Sequence, residues 1–419
     1  MARERILLSI FGKKLLSFKK LDTGEIVGTG LLNPIFDKFK FLIMMGLQAS
    51  FYGQYTNLGK WRGKRVANTF APPVGSNPMF RVMKAIIMSK IFRHTFPVAM
   101  TFAVTYKCQC KCKHCSAGRH LRNDLRELSS QEAKALIDQS LDLGVSLIAF
   151  TGGEPLLRDD IYELISYVDK RKALTLLFTN GLLLTEENVD KLVDAGLYSL
   201  FISIDSAIPN EHDQLRGKDG LFKSAIKGIK RMKDRGGFVG ISSYATRSST
   251  QKGMYRKLYL LGRKLGVENL ILFDAVPTGN MLKNISEMLT PEQHEELRKF
   301  SSNVFKQKEV PQFNSQSWQN SIEGYLGGIG CLAVNLQYYV SAYGEVSPCD
   351  FTPLSFGNVK NKSLKEIWNK MVHHPAYNHR STFCRMQHPN FRRIYIDPIP
   401  DDSILPYDID KLPSIDYRI

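Results

Sequence analysis

An α/β fold built from parallel βα units is what this 419-residue chain predicts, and three observations predict it. Six compact apolar runs between Ala99 and Ala275 alternate with segments of helical periodicity. The chemistry-bearing residues gather where those runs end: a cysteine-rich loop after the first, "GGEP" after the second, "TNG" after the third and Asp205 on the fourth. In barrels the loops after strand C-termini carry the chemistry. A hydrophobic content of 43% supplies a sizeable core and excludes wholesale disorder.

The elements follow in order. "AMTFAVTY" from Ala99 reads as the first strand. "LSSQEAKALIDQSLDLG" reads as a helix that Ser129 caps, with Glu132 completing a capping box and Ala133, Leu136 and Ile137 facing inward. "SLIAFT", "ALTLLFT", "SLFISID", "FVGISSYA" and "LILFDA" supply the next five strands. Helices over 160–170, 186–195, 221–235 and 254–265 separate the later ones. Strands joined this way run parallel, in an open sheet or a barrel. The chain thus divides into a basic extension (1–98), the βα core (99–284) and a C-terminal α+β region (285–419). The closing Pro- and Asp-rich stretch from Asp397 is expected to run extended over the surface.

Charge is unevenly spread. Residues 1–100 hold 16 Lys or Arg against four acids, a balance of +12 out of the chain's +17, so an anionic partner would meet this end. "RILLSIFGKKLLSFKK" is amphipathic on a helical projection, with Ile6, Leu7, Ile10, Phe11 and Phe18 on one arc; Lys14 and Leu16 break it. With "FKFLIMMGLQASFYG" and "RVMKAIIMSKIFRHTF" it reads as a helical extension, suited either to an anionic membrane surface or to covering the core. No stretch has the length and apolarity of a membrane-spanning helix, and no signal-peptide cleavage site follows the first apolar run. Cytoplasmic residence, with peripheral membrane contact as one reading, is the expectation. Interleaved aromatic platforms are missing from the basic end, so no nucleic acid is expected as a partner.

Seven cysteines are too few for a disulfide scaffold, and their odd number suits metal ligation or free thiols in a reducing compartment. Four crowd into "KCQCKCKHCS": Cys108, Cys110, Cys112 and Cys115. Zinc held by all four lacks the usual two separated pairs. Cys108, Cys112 and Cys115, spaced C-x3-C-x2-C, suit three irons of a cubane [4Fe–4S] cluster whose fourth iron stays open; Cys110 falls outside that spacing.

With His114 before the last cysteine, "CQCKCKHC" resembles the signature of the radical S-adenosylmethionine (SAM) enzymes. The resemblance covers residues 99 to 375 and implies a partial (βα)6 TIM-like barrel. It also implies that the open iron chelates SAM. An external one-electron reductant of flavodoxin or ferredoxin type would then drive SAM cleavage to a 5′-deoxyadenosyl radical. "TGGEP", with Gly152, Gly153 and Glu154, resembles the motif that binds the SAM amino group. "FISIDSAIPNEHDQLRG" resembles a family segment in which Ser203 and Asp205 would meet ribose and methionine and Arg216 the methionine carboxylate; Ser206 stands where glycine is usual. Asn180 matches a position near SAM, although Asn-Gly is equally a turn signal.

Cys331, Gly344 and Cys349 follow C-x12-G-x4-C and resemble the opening of the SPASM/twitch extension, where a β-hairpin presents cysteines to an auxiliary cluster. Only Cys384 follows, so at most one such cluster is implied, with Cys110, His388, solvent or substrate as its fourth ligand. The substrate is not written in these motifs. A lipid or other apolar molecule at a membrane surface is the first expectation and a peptide the second. Against the peptide stands the absence, in residues 1–98, of period-two strands suggesting a leader-binding winged-helix module.

Overall fold

The computed structural model describes residues 56–92, 95–319 and 330–418, together with the backbone strands 4–10, 13–20 and 26–28. Those strands correct the first expectation. β1 (Glu4–Ile10), β2 (Lys13–Lys20) and β3 (Ile26–Gly28) form an antiparallel sheet in the order β1-β2-β3, where an amphipathic helix was expected. Ile6, Ile10 and Phe18 have strand propensity, and an isolated helix this short is marginal in water. The apolar run from Phe41 lies mostly outside the described residues.

A hairpin of β4 (Gly59–Trp61) and β5 (Lys64–Val66) leads through Phe70 to a helix over Asn77–Phe92. This segment closes the N-terminal end of the barrel, which is the covering role given as its second reading. Phe70 packs on Leu176, Phe201 and Ile271, its ring edge-on to Phe201 at 5.0 Å. Polar contacts fix the seal: Tyr198 donates to the Ala71 carbonyl at 2.9 Å and Gln312 to the Ala67 carbonyl at 2.6 Å.

The six barrel strands then run in order: β6 (Ala99–Thr105), β7 (Leu147–Gly152), β8 (Leu174–Thr179), β9 (Ser199–Ser203), β10 (Phe238–Ala245) and β11 (Asn269–Asp274). Each pairs in parallel with the next. The helix Ser130–Leu143 shows why these segments fold locally. Ser129 accepts from the Glu132 amide, Glu132 reaches back to the Ser129 amide, and Ala133, Leu136 and Ile137 are buried on the strands. Gly144 ends it in the left-handed conformation at φ 111°, which glycine adopts without cost.

The sheet continues past both barrel edges. β12 (Gln312–Ser315) joins β11, and β13 (Gln337–Val340) joins β6, both in parallel. β14 (Val346–Ser347) pairs antiparallel with β13, giving the expected hairpin. The order β12-β11-β10-β9-β8-β7-β6-β13-β14 leaves the barrel partial and open. The C-terminal stretch is less superficial than expected: Ile399, Leu405, Ile409 and Tyr417 are buried in the main core.

Candidate active site

All seven cysteines line one cavity of about 1120 Å³ at the C-terminal ends of the barrel strands. Its floor is the apolar set Phe70, Leu176, Phe178 and Ile271, and its walls carry two groups of thiols.

The first group lies on the loop leaving β6. Main-chain contacts pin that loop: Lys111 N–H donates to the Arg216 carbonyl at 2.9 Å, and Asn280 N–H to the Cys115 carbonyl at 3.1 Å. Gly279 must be glycine, because a Cβ there would fall 2.2 Å from the Cys115 carbonyl oxygen. Cys108 is exposed toward the cavity, while Cys110, Cys112 and Cys115 are half-buried. Hydrogen bonding from the Cys110 thiol holds Cys108 and Cys112 below the ordinary thiol range, with Arg216 adding to it. Cys110 itself is pushed up by the same bonds. Burial pushes Cys115 up to about 11. Among the described residues no three His, Cys, Asp or Glu side chains converge as a single-ion site requires. A cubane, whose iron corners stand apart, suits spread thiols better.

"GGEP" is held against this loop. Gly153 N–H donates to the Thr105 carbonyl at 2.7 Å and Glu154 N–H to the Lys107 carbonyl at 2.8 Å. Cβ atoms on Gly152 or Gly153 would meet those carbonyl oxygens at 2.1 and 2.3 Å. The glycines thus serve close chain-to-chain approach, and both still line the cavity. Glu154 does not line it. Its carboxylate accepts from Thr179 Oγ1 (2.7 Å), Asn180 N (2.8 Å) and Leu156 N (3.2 Å), bracing one loop on the next and capping a short turn of helix. Burial raises it to about 7.

Asn180, Ser203, Asp205 and Arg216 all reach the cavity. Asn180 Nδ2 donates to Gln109 Oε1 at 3.2 Å and points at Cys108 Sγ from 4.0 Å. Arg216 grips Asp205 with two bonds, 2.7 and 3.2 Å, and His114 Nε2 stands 3.2 Å from the same carboxylate. Burial alone would raise Asp205, but Arg216 and His114 outweigh it and hold the carboxyl far below its usual range. The guanidinium expected to hold the methionine carboxylate of SAM is therefore committed in part to an internal one.

Residues missed from the sequence complete the wall. The His114 ring stacks on Tyr244 at 4.6 Å, Glu127 accepts from Thr105 Oγ1 and Tyr106 N, and the Ser243 hydroxyl is buried without a partner. Tyr244 is the last residue but one of β10 and Asp274, also on the cavity wall, ends β11, so the strand-end rule applied to the first four strands would have found both.

The second thiol group is assembled from three segments. Cys331 N–H donates to the Ser381 carbonyl at 3.0 Å, tying it to the turn before Cys384, and Cys349 Sγ lies 3.2 Å from Thr352 Oγ1. Gly344, at φ 94°, turns the β13–β14 hairpin that carries Cys349. All three thiols are buried. Burial pushes Cys349 up to about 12 and Cys384 well above the ordinary thiol range, and each is raised again by its neighbours' charge. Donors without acceptors surround them: Tyr377 Oη and Arg385 Nη1 are buried and unsatisfied, and Arg385 also reaches Cys331. Thiolates and cluster sulfides are acceptors of the kind these groups lack. The residues present fit the group.

An open parallel barrel with a thiol-lined mouth defines an iron–sulfur enzyme of the barrel type. Residues 102–246 match the radical SAM superfamily and residues 331–389 an iron–sulfur cluster-binding domain, SPASM. An AdoMet-dependent heme synthase from Oleidesulfovibrio alaskensis is 33% identical over 295 residues, covering 65% of this chain and 74% of that protein. A PqqA peptide cyclase from Gluconobacter oxydans is 25% identical over 285 residues, covering 65% and 76%. Among solved structures, Streptococcus suis SuiB bound to precursor peptide SuiA superposes with a TM-score of 0.55 at 17% identity, covering 88% of both chains. This chain belongs to the radical SAM superfamily and carries a SPASM extension. It is an enzyme of SAM and [4Fe–4S] clusters.

Proposed function

We propose that this chain is a peptide-modifying radical SAM enzyme, with its first cluster on Cys108, Cys112 and Cys115. When bound, cluster and SAM together supply a 5′-deoxyadenosyl radical that abstracts a hydrogen atom from substrate. Gly152 and Gly153 offer backbone to the methionine end of SAM, while Asn180 and Ser203 offer polar side chains from neighbouring strand ends. The Asp205–Arg216–His114 array holds the cysteine loop in register through the Arg216 carbonyl. The closed barrel floor excludes water from below, which protects a radical from quenching.

The three-stranded sheet β1–β3 carries the choice of a peptide. An antiparallel sheet of this kind can take an extended peptide as an added strand at an edge, and its presence answers the objection drawn from the sequence. The membrane reading loses one of its supports with the same observation, because the first of its amphipathic segments forms strands. A second reading, a step of heme synthesis, is favoured by the identity to the heme synthase.

Anaerobic turnover with SAM and dithionite tests the choice against two probes: short peptides encoded beside the gene, and an iron coproporphyrin. A peptide mass change with stoichiometric 5′-deoxyadenosine is expected. Conversion of the porphyrin with every peptide untouched would overturn the peptide reading in favour of the second.

A further inference from the structure

Between the cysteine loop and the helix Ser130–Leu143, residues 119–127 run along the rim of the cavity. Leu121 and Leu125 line that cavity with large apolar side chains that are 54% and 43% exposed. A single exposed leucine needs no explanation, but two on one cavity wall form an apolar shelf. The segment is held by its backbone. Tyr343 Oη accepts from Arg122 N at 2.8 Å and donates to the Arg122 carbonyl at 3.0 Å. Leu405 N–H donates to the Arg119 carbonyl at 3.1 Å, and Lys360 Nζ to the Arg126 carbonyl at 3.2 Å. The leucines are thus presented by a fixed scaffold.

Beside the shelf stands a cation without an acid. Glu127, at the end of the segment, accepts from Thr105 Oγ1 at 2.9 Å and Tyr106 N at 2.8 Å, which sets the segment against the residues that precede the cysteines. The next residue there is Lys107, exposed and on the cavity wall. Its backbone is fixed, with N–H donating to Thr105 Oγ1 at 3.2 Å and the carbonyl accepting from Glu154 N at 2.8 Å. The other lysine or arginine side chains on this wall are already met: Arg122 by Asp124 at 2.6 Å, Arg126 by Glu132 at 2.5 Å and Arg216 by Asp205 at 2.7 Å. Among the described residues the Lys107 ammonium has no such partner.

We propose that Lys107, Leu121 and Leu125 select the substrate: the two leucines take a bulky apolar side chain of the peptide, and Lys107 takes a carboxylate beside it. The assignment rests on the peptide reading. Covering the shelf removes apolar surface from water and supplies affinity. The ammonium supplies orientation, since a shelf alone would accept an apolar residue in either chain direction. A point charge on a flexible stem also tolerates small differences in where the acid stands, which a planar guanidinium does not.

The test is anaerobic turnover of the short peptides encoded beside the gene by full-length reconstituted enzyme, with KM and kcat read separately. Leu121→Ala combined with Leu125→Ala should raise KM about 30-fold. Lys107→Met should raise it about tenfold, with Lys107→Arg recovering most of the loss. In each case kcat should change by less than about twofold, because the contact is made before the chemistry. Changing the peptide's acid to its amide should raise the wild-type KM about tenfold and leave that of Lys107→Met where it was, since both changes remove one contact. An equal effect of the amide in wild type and Lys107→Met would overturn the carboxylate assignment, as would a converted peptide that carries no acid. An unchanged KM in the leucine double variant would overturn the shelf. Conversion of an iron coproporphyrin in place of every peptide would instead overturn the peptide reading, and the choice of occupant with it.

Discussion

The two thiol groups share a cavity but are built in opposite ways. Cys108, Cys112 and Cys115 sit within one eight-residue loop, open to the cavity, with two of them acidified by local hydrogen bonds. Cys331, Cys349 and Cys384 come from segments spread over 54 residues, are buried, and have thiols raised by burial wherever a shift is resolved. A loop that must admit and release a cofactor needs exposed, readily ionised ligands. On the proposed assignment of a second cluster to the buried cysteines, that cluster would need burial, and its ligands would ionise only where metal compensates them. The first site can exist before the C-terminal region has folded, whereas the second requires it.

That contrast is sharpest where its expected effect is largest. Cys112→Ala should reduce 5′-deoxyadenosine formation to background, measured by chromatography after anaerobic turnover. Cys349→Ala should leave uncoupled SAM cleavage in place while lowering iron content and thermal stability. If Cys349→Ala also abolished cleavage, the sites would not be separable in the way their construction implies. Arg216→Ala comes next. It leaves Asp205 buried with only His114 for a counter-ion, a loss of about 3–5 kcal/mol in urea unfolding by the usual cost of breaking a buried pair.

Legibility in the sequence follows the same division. The barrel was readable because each helix and strand carries its own signal; the Ser129 capping box and the strand Phe238–Ala245 are local facts that packing only confirmed. The cysteine loop was readable for the same reason. The partnership of Arg216 with Asp205 was not, since a guanidinium's choice between an internal and a bound carboxylate depends on distances no spacing encodes. Glu154 likewise turned inward: its motif marks the loop, but three donors from two other elements decide where the carboxylate goes. At the N-terminus, eight residues of mixed Lys, Leu and Phe fit a helical arc and a strand almost equally, and pairing with β1 settled the matter.

Glu154 offers a smaller effect with a definite sign. Its folded-state value, about 7, lies above the ordinary 4.5, so its stabilising contribution is complete below pH 4.5 and is lost as pH rises through 7. The loss amounts to about 3 kcal/mol. Wild-type unfolding midpoints in urea should therefore fall between pH 5 and pH 8, and Glu154→Gln should flatten that slope while lowering stability at pH 5, where it forfeits an accepting oxygen. A slope unchanged by Glu154→Gln would place the titration elsewhere.

The smallest effect tests whether the exposed loop is as tolerant as its construction implies. Tyr244 stacks its ring on His114 and directs its hydroxyl to Met281 Sδ at 3.4 Å, a weak acceptor. Tyr244→Phe keeps the stack and loses only that contact, so stability should change by less than about 0.5 kcal/mol. Tyr244→Ala removes the ring as well. It should cost about 1 kcal/mol beyond the lost burial, because stacked aromatic pairs contribute on that order. His114 would then be free to swing from Asp205, weakening the brace on Arg216 and thereby on the cysteine loop. Tyr244→Ala should therefore raise the KM for SAM in uncoupled cleavage while Tyr244→Phe does not. Equal KM values in both variants would mean that the Arg216–Asp205 pair holds the loop without help from the stack.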